Sequence, residues 1–264
     1  MTVAKSIQEL REFYNYFFHR YEGRTKVWYR GESSTTYSLT PSLHRTMPKG
    51  CPHWLIVEKE REALEIFKKA QPEIANELTD WEIFFYMQHY GVKTRFLDWT
   101  ESARISLFFA FSGWNLENGN CKMWFLDPCM LNLLSLGIRG VQAPKNGKFF
   151  VDYLTVGNEI DHTVALYPPT LDPLFNERIK VQKGCFTMHY GYNTATSSLN
   201  DLANEIGFLV HTKIHVPDDQ FDFNLKEEDV LDCIEIHTNM YEEVESYLSE
   251  MGITYKEIYP DIEG

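Results

Sequence analysis

The order in which hydrophobic periodicities appear most constrains the fold of this chain: helical spacing comes first, strand-like runs dominate later, and no regular strand-helix-strand alternation links them. A doubly wound parallel sheet needs that alternation, so the pattern predicts an α+β protein with a mixed, largely antiparallel sheet and helices packed on it. Ile7, Leu10, Phe13, Tyr14, Phe17, Phe18 and Tyr21 follow the i, i+3, i+4, i+7 spacing of a helix over 5–22. A strand is expected over Lys26–Arg30, a long loop over Gly31–Pro52, and a helix over Leu55–Gln71. Thr79 with Glu82 forms a capping box, and Gly91 supplies the left-handed stop of a helix over Glu82–Tyr90.

Farther along, Thr94–Trp99 reads as a strand, Glu101–Phe111 as an apolar helix, and Lys122–Leu126 as a strand after the Gly119-Asn120 turn. Residues 128–170 match no pattern clearly. Arg178–Met188, Gly207–Val216, Cys233–His237 and Thr254–Ile258 read as strands, with a helix over Met240–Met251 that Asn239 caps and Gly252 ends.

With 264 residues, 44% of them hydrophobic and 15% aromatic, the chain has material for one large core, and one domain over 1–264 is expected, 1–25 being a helical cap on a 26–264 core. Its net charge of −13 repels nucleic acid and anionic membrane on average, although a local basic pocket is compatible with it. Five scattered cysteines without a CxxC pair suit reduced thiols, not disulfides or a zinc knuckle. The first residues lack a signal peptide's layout and no run reaches membrane-spanning length, so a soluble, cytoplasmic protein is expected.

Three polar segments need a chemical reason. In Trp28-Tyr29-Arg30-Gly31-Glu32, Arg30 shares a strand face with Trp28, and an unpaired buried guanidinium is too costly. Its partner must be a carboxylate, a carbonyl or a phosphate, either in a structural salt bridge such as one to Asp98 or on a ligand, and Gly31 permits close backbone approach. In Thr94-Arg95-Phe96-Leu97-Asp98-Trp99-Thr100 both strand faces mix polar and apolar groups; Asp98 or Thr100 either caps the following helix or serves a ligand, and His89 may equally satisfy the last carbonyls of its helix. Gln182, Gly184 and Phe186 would share one strand face, offering an amide, a gap and a ring to a flat heterocycle or ribose; the alternative is that Gly184 only admits a neighbouring side chain.

Other chemistries lack support. His211 and His215, four apart on a strand, would sit about 13 Å apart, too far for one metal ion. The glycines form neither a GxGxxG nor a GxxxxGK loop, and GxSxG is absent. No metal site is expected.

Taken together, Tyr29-Arg30-Gly31-Glu32, Tyr37-x-Leu39-x-Pro41-Ser42-Leu43-x-Arg45, Gln88-His89-Tyr90-Gly91-x-x-Thr94-Arg95-x-Leu97-Asp98-Trp99-Thr100, Gln182-x-Gly184-x-Phe186 and Tyr259-Pro260-Asp261 resemble the FRG domain family over about 26–261. The family is named for Phe-Arg-Gly, and here Tyr29 replaces the phenylalanine. It is met in bacterial and phage proteins, often near defence or toxin functions. Its motif order looks like that of ADP-ribosyltransferases: an early strand arginine, a middle strand-helix motif and a late strand residue beside the nicotinamide ribose.

The resemblance implies an ADP-ribosyltransferase-like core that consumes NAD as substrate and modifies a macromolecular acceptor, protein or nucleic acid, with no membrane role. A phage-derived trigger or a neutralising partner would fit such an effector. Mapped on this chain, Arg30, Gln182 and Asp98 would be catalytic, and Arg30, Gly31, Thr94, Arg95, Trp99, Thr100, Gly184 and Phe186 would bind NAD. A neutral amide at Gln182 cannot supply the electrostatic help of a glutamate, a departure that leaves Asp98 as the alternative source. The competing reading is a non-catalytic module that senses a nucleotide or phage component through the same pocket; a nuclease is disfavoured by the lack of a metal-carboxylate cluster.

Overall fold

The computed structural model describes residues 2–21, 24–48, 50–141, 143, 162–169, 173–189, 201–212, 216 and 224–260. Within them the chain is α+β, built on one seven-stranded sheet of order β1-β7-β4-β2-β3-β6-β5. The strands are β1 (Thr2–Ala4), β2 (Trp28–Glu32), β3 (Phe96–Thr100), β4 (Cys121–Leu126), β5 (Val164–Leu166), β6 (Gly184–Met188) and β7 (Leu231–Ile236). Only β1 and β7 run parallel, and every other neighbouring pair is antiparallel.

The helices are α1 (Ile7–His19), α2 (Ser42–Thr46), α3 (His53–Ala70), α4 (Pro72–Glu77), α5 (Asp80–His89), α6 (Ala103–Ser112), α7 (Pro128–Leu136), α8 (Pro173–Gln182), α9 (Leu202–Thr212), α10 (Glu227–Val230), α11 (Tyr241–Glu250) and α12 (Tyr255–Ile258). Three apolar clusters attach them to the sheet. On one face Leu10, Phe13 and Phe17 of α1, Leu107 and Phe108 of α6 and Val244 and Leu248 of α11 pack on Tyr29, Met123, Phe125, Ile234 and Ile236. On the same face beyond β3, Leu64 of α3 and Phe84 and Phe85 of α5 pack on Phe96, Phe186, Met188 and Val164. The opposite face is covered by α7 and α9, whose Leu131, Leu134, Ile206 and Leu209 meet Trp28, Leu97, Trp99 and Cys185.

Gly31 explains why α6 can lie directly across β2. A Cβ built there would stand 1.9 Å from the Ser106 backbone oxygen and 2.5 Å from the Ala110 nitrogen, so only glycine lets helix and strand backbones approach this closely. Thr79 and Glu82 form the expected capping box at the start of α5: the Thr79 hydroxyl accepts from the Glu82 N–H at 3.4 Å, and the Glu82 carboxylate accepts from the Thr79 N–H at 2.7 Å. Gly91 at φ 75° provides the left-handed turn after it.

Several expectations are corrected. The helix before β6 runs to Gln182, so the strand expected from Arg178 begins only at Gly184. Gly207–Thr212 belongs to α9, the strand expected over Gly207–Val216 being in its described part a helix, and Tyr255–Ile258 is helical as well, with the Thr254 hydroxyl accepting from the Glu257 N–H. In each, bulky and β-branched residues carry a local strand propensity that the fold overrides, most plainly in α9, where Ile206, Leu209 and Val210 are buried along the helix. The expected loop 31–52 contains the short α2, and the uncertain 128–170 region contains α7 and β5. Asp98 and Thr100 do not cap α6 with their side chains onto its first turn; Ser102 does, accepting from the Ile105 N–H at 3.4 Å. Asn239 lies inside a 3-10 turn before α11 and is not its cap.

Candidate functional site

On the face that carries α5 and α6 the two helices stand apart above β3, and the gap forms a cleft. Two adjoining hollows of about 240 and 180 Å³ make it up, sharing Asp98, Ile179, Gln182 and Phe186. Tyr29, Arg30, Gly31, Trp99, Thr100, Phe109 and Gly184 line the larger; Phe85, Gln88, His89, Arg178 and Tyr259 line the smaller.

Asp98 is the centre. It is the exposed residue of an otherwise buried strand, flanked by Leu97 and Trp99. Alternation sends its carboxylate to the cleft face with Phe96 and Thr100, where Gln88 Nε2 donates to both oxygens at 3.0 and 3.1 Å. The Thr94 hydroxyl donates to Gln88 Oε1 at 2.5 Å, which fixes the amide with its NH2 toward Asp98. The polar residues of the long motif thus form a chain from Thr94 through Gln88 to Asp98.

Arg30 enters from the neighbouring strand. β2 and β3 are in register at one pair only, Tyr29 and Thr100, and then diverge. In the resulting notch Arg30 Nη1 donates to the Asp98 carbonyl oxygen at 2.7 Å, while Nε lies 3.3 Å from Glu32 Oε1. The expected internal partner, the Asp98 carboxylate, is therefore replaced by that residue's carbonyl and by Glu32. Arg30 borders the larger hollow, but its one-fifth-exposed side chain leaves β2 on the face of Trp28 and Trp124, opposite Gly31, α6 and the Asp98 carboxylate.

Gln182, Gly184 and Phe186 reach the cleft by a different route from the one expected. Gln182 ends α8, Lys183 turns the chain at φ 48°, and Gly184 opens β6, so the three never share a strand face and yet line the same hollow. The Gln182 amide nitrogen donates to the Ile258 carbonyl at 3.1 Å, and its own carbonyl accepts from the Thr100 hydroxyl at 2.7 Å. These bonds join α8 to α12 and to β3. Gly184 leaves room for Ile179, whose Cγ2 would be 3.4 Å from an added Cβ.

Three assigned residues face elsewhere. Arg95 is wholly buried and pairs with Glu60, Nε to Oε2 at 2.6 Å, with its backbone N–H on Oε1 at 2.9 Å. Thr94 is buried and acts through Gln88. The Trp99 ring packs on the opposite sheet face, where Nε1 donates to the Thr187 hydroxyl at 2.9 Å.

The fold also brings in residues that sequence reasoning did not assign. The Arg178 guanidinium stacks 4.6 Å from the Tyr259 ring centroid at the edge of the smaller hollow. Burial raises the Tyr259 phenol above its ordinary range, opposed by Arg178 and reinforced by Tyr255 and Asp98. Reading 178–188 as a strand hid Arg178; Gln88 stood in the quoted motif, its tie to Asp98 being its only available signal. Among the described residues no group of three or more His, Cys, Asp or Glu side chains could hold a metal ion, and no helix is long and apolar enough to cross a membrane. His211 lies on α9 and pairs with Glu227 at 3.2 Å, whereas His215 lies outside the described residues.

The protein is thus an α+β fold with a sheet covered on both faces and, over β3, a cleft that holds one open carboxylate. The family model of the FRG domain matches residues 25–118. That match holds β2, β3 and the motifs through Thr100, while the resemblance noted at Gln182 to Phe186 and at Tyr259 lies beyond it. No curated protein and no solved structure matches the chain.

Proposed function

We propose that the cleft binds a pyrophosphate-bearing nucleotide of the NAD type and breaks its N-ribosyl bond, passing the ADP-ribosyl group to a macromolecular acceptor. The observation that carries this reading is the Asp98 carboxylate, open to the cleft and oriented by Gln88, with Arg178 at the edge of the smaller hollow. As the C1′–N bond breaks, the electron pair leaves on the nicotinamide nitrogen and cancels its positive charge, and the ribose becomes oxocarbenium-like. A fixed carboxylate beside C1′ stabilises that cation more than it stabilises the substrate. The acceptor's hydroxyl or amine then adds at C1′ and gives its proton to Asp98. In this reading Arg178 holds the pyrophosphate, Arg30 supports the Asp98 backbone from the other sheet face, and Phe186 with Phe109 walls the larger hollow against a flat base. Gln182, committed to Ile258, positions α8 and leaves the charge stabilisation to Asp98.

The test is incubation with NAD labelled in the adenylate part, plus cell lysate, following nicotinamide release and label on protein, DNA or RNA. Asp98→Asn should lower release by about 10²–10³-fold, the usual effect of losing one transition-state electrostatic contact. Arg178→Ala should do so with an unchanged melting temperature and should relieve any growth defect caused by expression, as expected of a defence effector or toxin. No release from the parent protein under any acceptor would overturn the reading.

One observation favours a binding module instead: both Asp98 oxygens already accept from Gln88, and the Gln182 amide is engaged. A sensor would bind NAD or ADP-ribose by calorimetry, lose binding in Arg178→Ala, and turn over neither.

A further inference from the structure

A hollow of about 480 Å³ lies on the other side of α6 from the cleft, between α1, α6 and α11 above β2 and β4. Its floor is apolar and aromatic: Leu10, Leu107, Met123 and Phe125 are buried there, with Tyr29, whose hydroxyl is hydrogen-bonded to Tyr14. Its mouth is cationic. Arg11, Arg104 and Lys183 are exposed around it, Arg11 lying 5.6 Å from the Tyr247 ring, against the one carboxylate of Glu101. The Glu101 carboxylate already accepts from the Tyr167 hydroxyl at 2.5 Å. Three cations gathered at one aromatic hollow run against a chain whose net charge is −13.

Lys183 adds an independent observation. Its φ of 48° is the only positive value at a non-glycine residue among the described residues, at the end of a helix where glycine adopts this conformation without steric cost. The fold keeps a strained L-residue there, and the side chain it keeps lines the hollow.

We infer that this hollow is a second ligand site, separate from the cleft, for a small organic anion with one apolar ring system and one carboxylate or phosphate. The ring would lie on Phe125, Met123 and Leu107, and the anionic group would meet Arg11, Arg104 and Lys183 at the mouth. Two features argue for a ring over a flexible chain: Tyr14, Tyr29, Phe125 and Tyr247 present flat walls, and the 480 Å³ volume falls within the range of small-molecule pockets.

The test uses 1-anilinonaphthalene-8-sulfonate and its uncharged counterpart N-phenyl-1-naphthylamine as probes of the whole folded chain. The sulfonate should bind one equivalent at least about ten-fold more tightly than the neutral probe, and Arg11→Glu with Arg104→Glu should erase that preference. Lys183→Gly should weaken the sulfonate about three-fold while the melting temperature stays level or rises, a split that a purely structural lysine does not produce. Leu107→Trp, which fills the hollow, should abolish binding; if it does not fold, Met123→Phe serves instead. Displacement by 2-naphthoate assigns a carboxylate and displacement by 1-naphthyl phosphate a phosphate. The proposal is overturned by equal affinity for the two probes, by displacement with NAD, by displacement with neither anion, or by indifference to the charge reversals. None of these readouts depends on turnover in the cleft.

Discussion

Asp98 and Arg95 stand three residues apart in one motif and have opposite roles, which only their surroundings reveal. Asp98 is solvent-open, so Asp98→Asn should change stability by no more than about 0.5 kcal/mol while removing the cleft's charge. Arg95 is sealed against Glu60. Arg95→Met strands a buried carboxylate and should cost about 3–5 kcal/mol in urea denaturation, whereas Arg95→Met with Glu60→Leu should recover most of that loss. If the single variant melts like the parent, Arg95 is not the structural residue its burial indicates. Sequence alternation placed Asp98 and Arg95 on opposite strand faces, and that much was legible; that β3 starts at Phe96 and that Glu60 waits behind Arg95 depends on α3, which local pattern does not register.

At the scale of elements, α5 and α6 frame the cleft, and each rests on a local device. Thr79→Ala removes the capping box of α5 and should cost about 1 kcal/mol. Gly31→Ala forces a methyl into the backbone of α6 and should cost about 3 kcal/mol or more, or prevent folding, as read by chemical denaturation and near-ultraviolet circular dichroism. A Gly31→Ala protein as stable as the parent would show that α6 can lift freely from β2. These devices also mark where sequence reasoning succeeds. The capping box, the Gly91 stop and the strand around Arg30 are written in adjacent residues. α8, α9 and α12 were misread because short helices rich in Ile, Val, Phe and Tyr carry local strand propensity that tertiary packing overrides. Gln182 lines the hollow with Gly184 and Phe186 but arrives from the end of a helix and not along a strand.

Over the whole molecule, two buried titratable groups oppose each other with pH. Burial lifts the Glu205 carboxyl to about 7, only partly offset by its bonds from Thr163, so folding favours its protonated form. Its contribution is complete below pH 4.5 and lost as pH rises through about 7. Burial, with His44, Arg30 and Arg95 nearby, holds His189 well below 6.5, so folding favours the neutral ring; that contribution is complete above pH 6.5 and lost as pH falls below it. Urea midpoints measured from pH 4 to 9 should show Glu205→Gln removing the decline between 4.5 and 7, and His189→Gln reducing the acid-side loss. A Glu205→Gln curve parallel to the parent's would contradict the first assignment.

The strand order carries a consequence for how the protein is made. β2, whose Arg30 serves the cleft, sits between β3 and β4, and β4 in turn rests on β7, the last strand along the described chain. During translation the early strands emerge with no finished neighbour on one side, and the sheet is completed only after residue 236 has left the ribosome. Until then the nascent chain carries bare strand edges. Its yield should depend on holding chaperones, and a clone cut at the boundary of the family match, residue 118, should give insoluble material, because it severs β2 from β4.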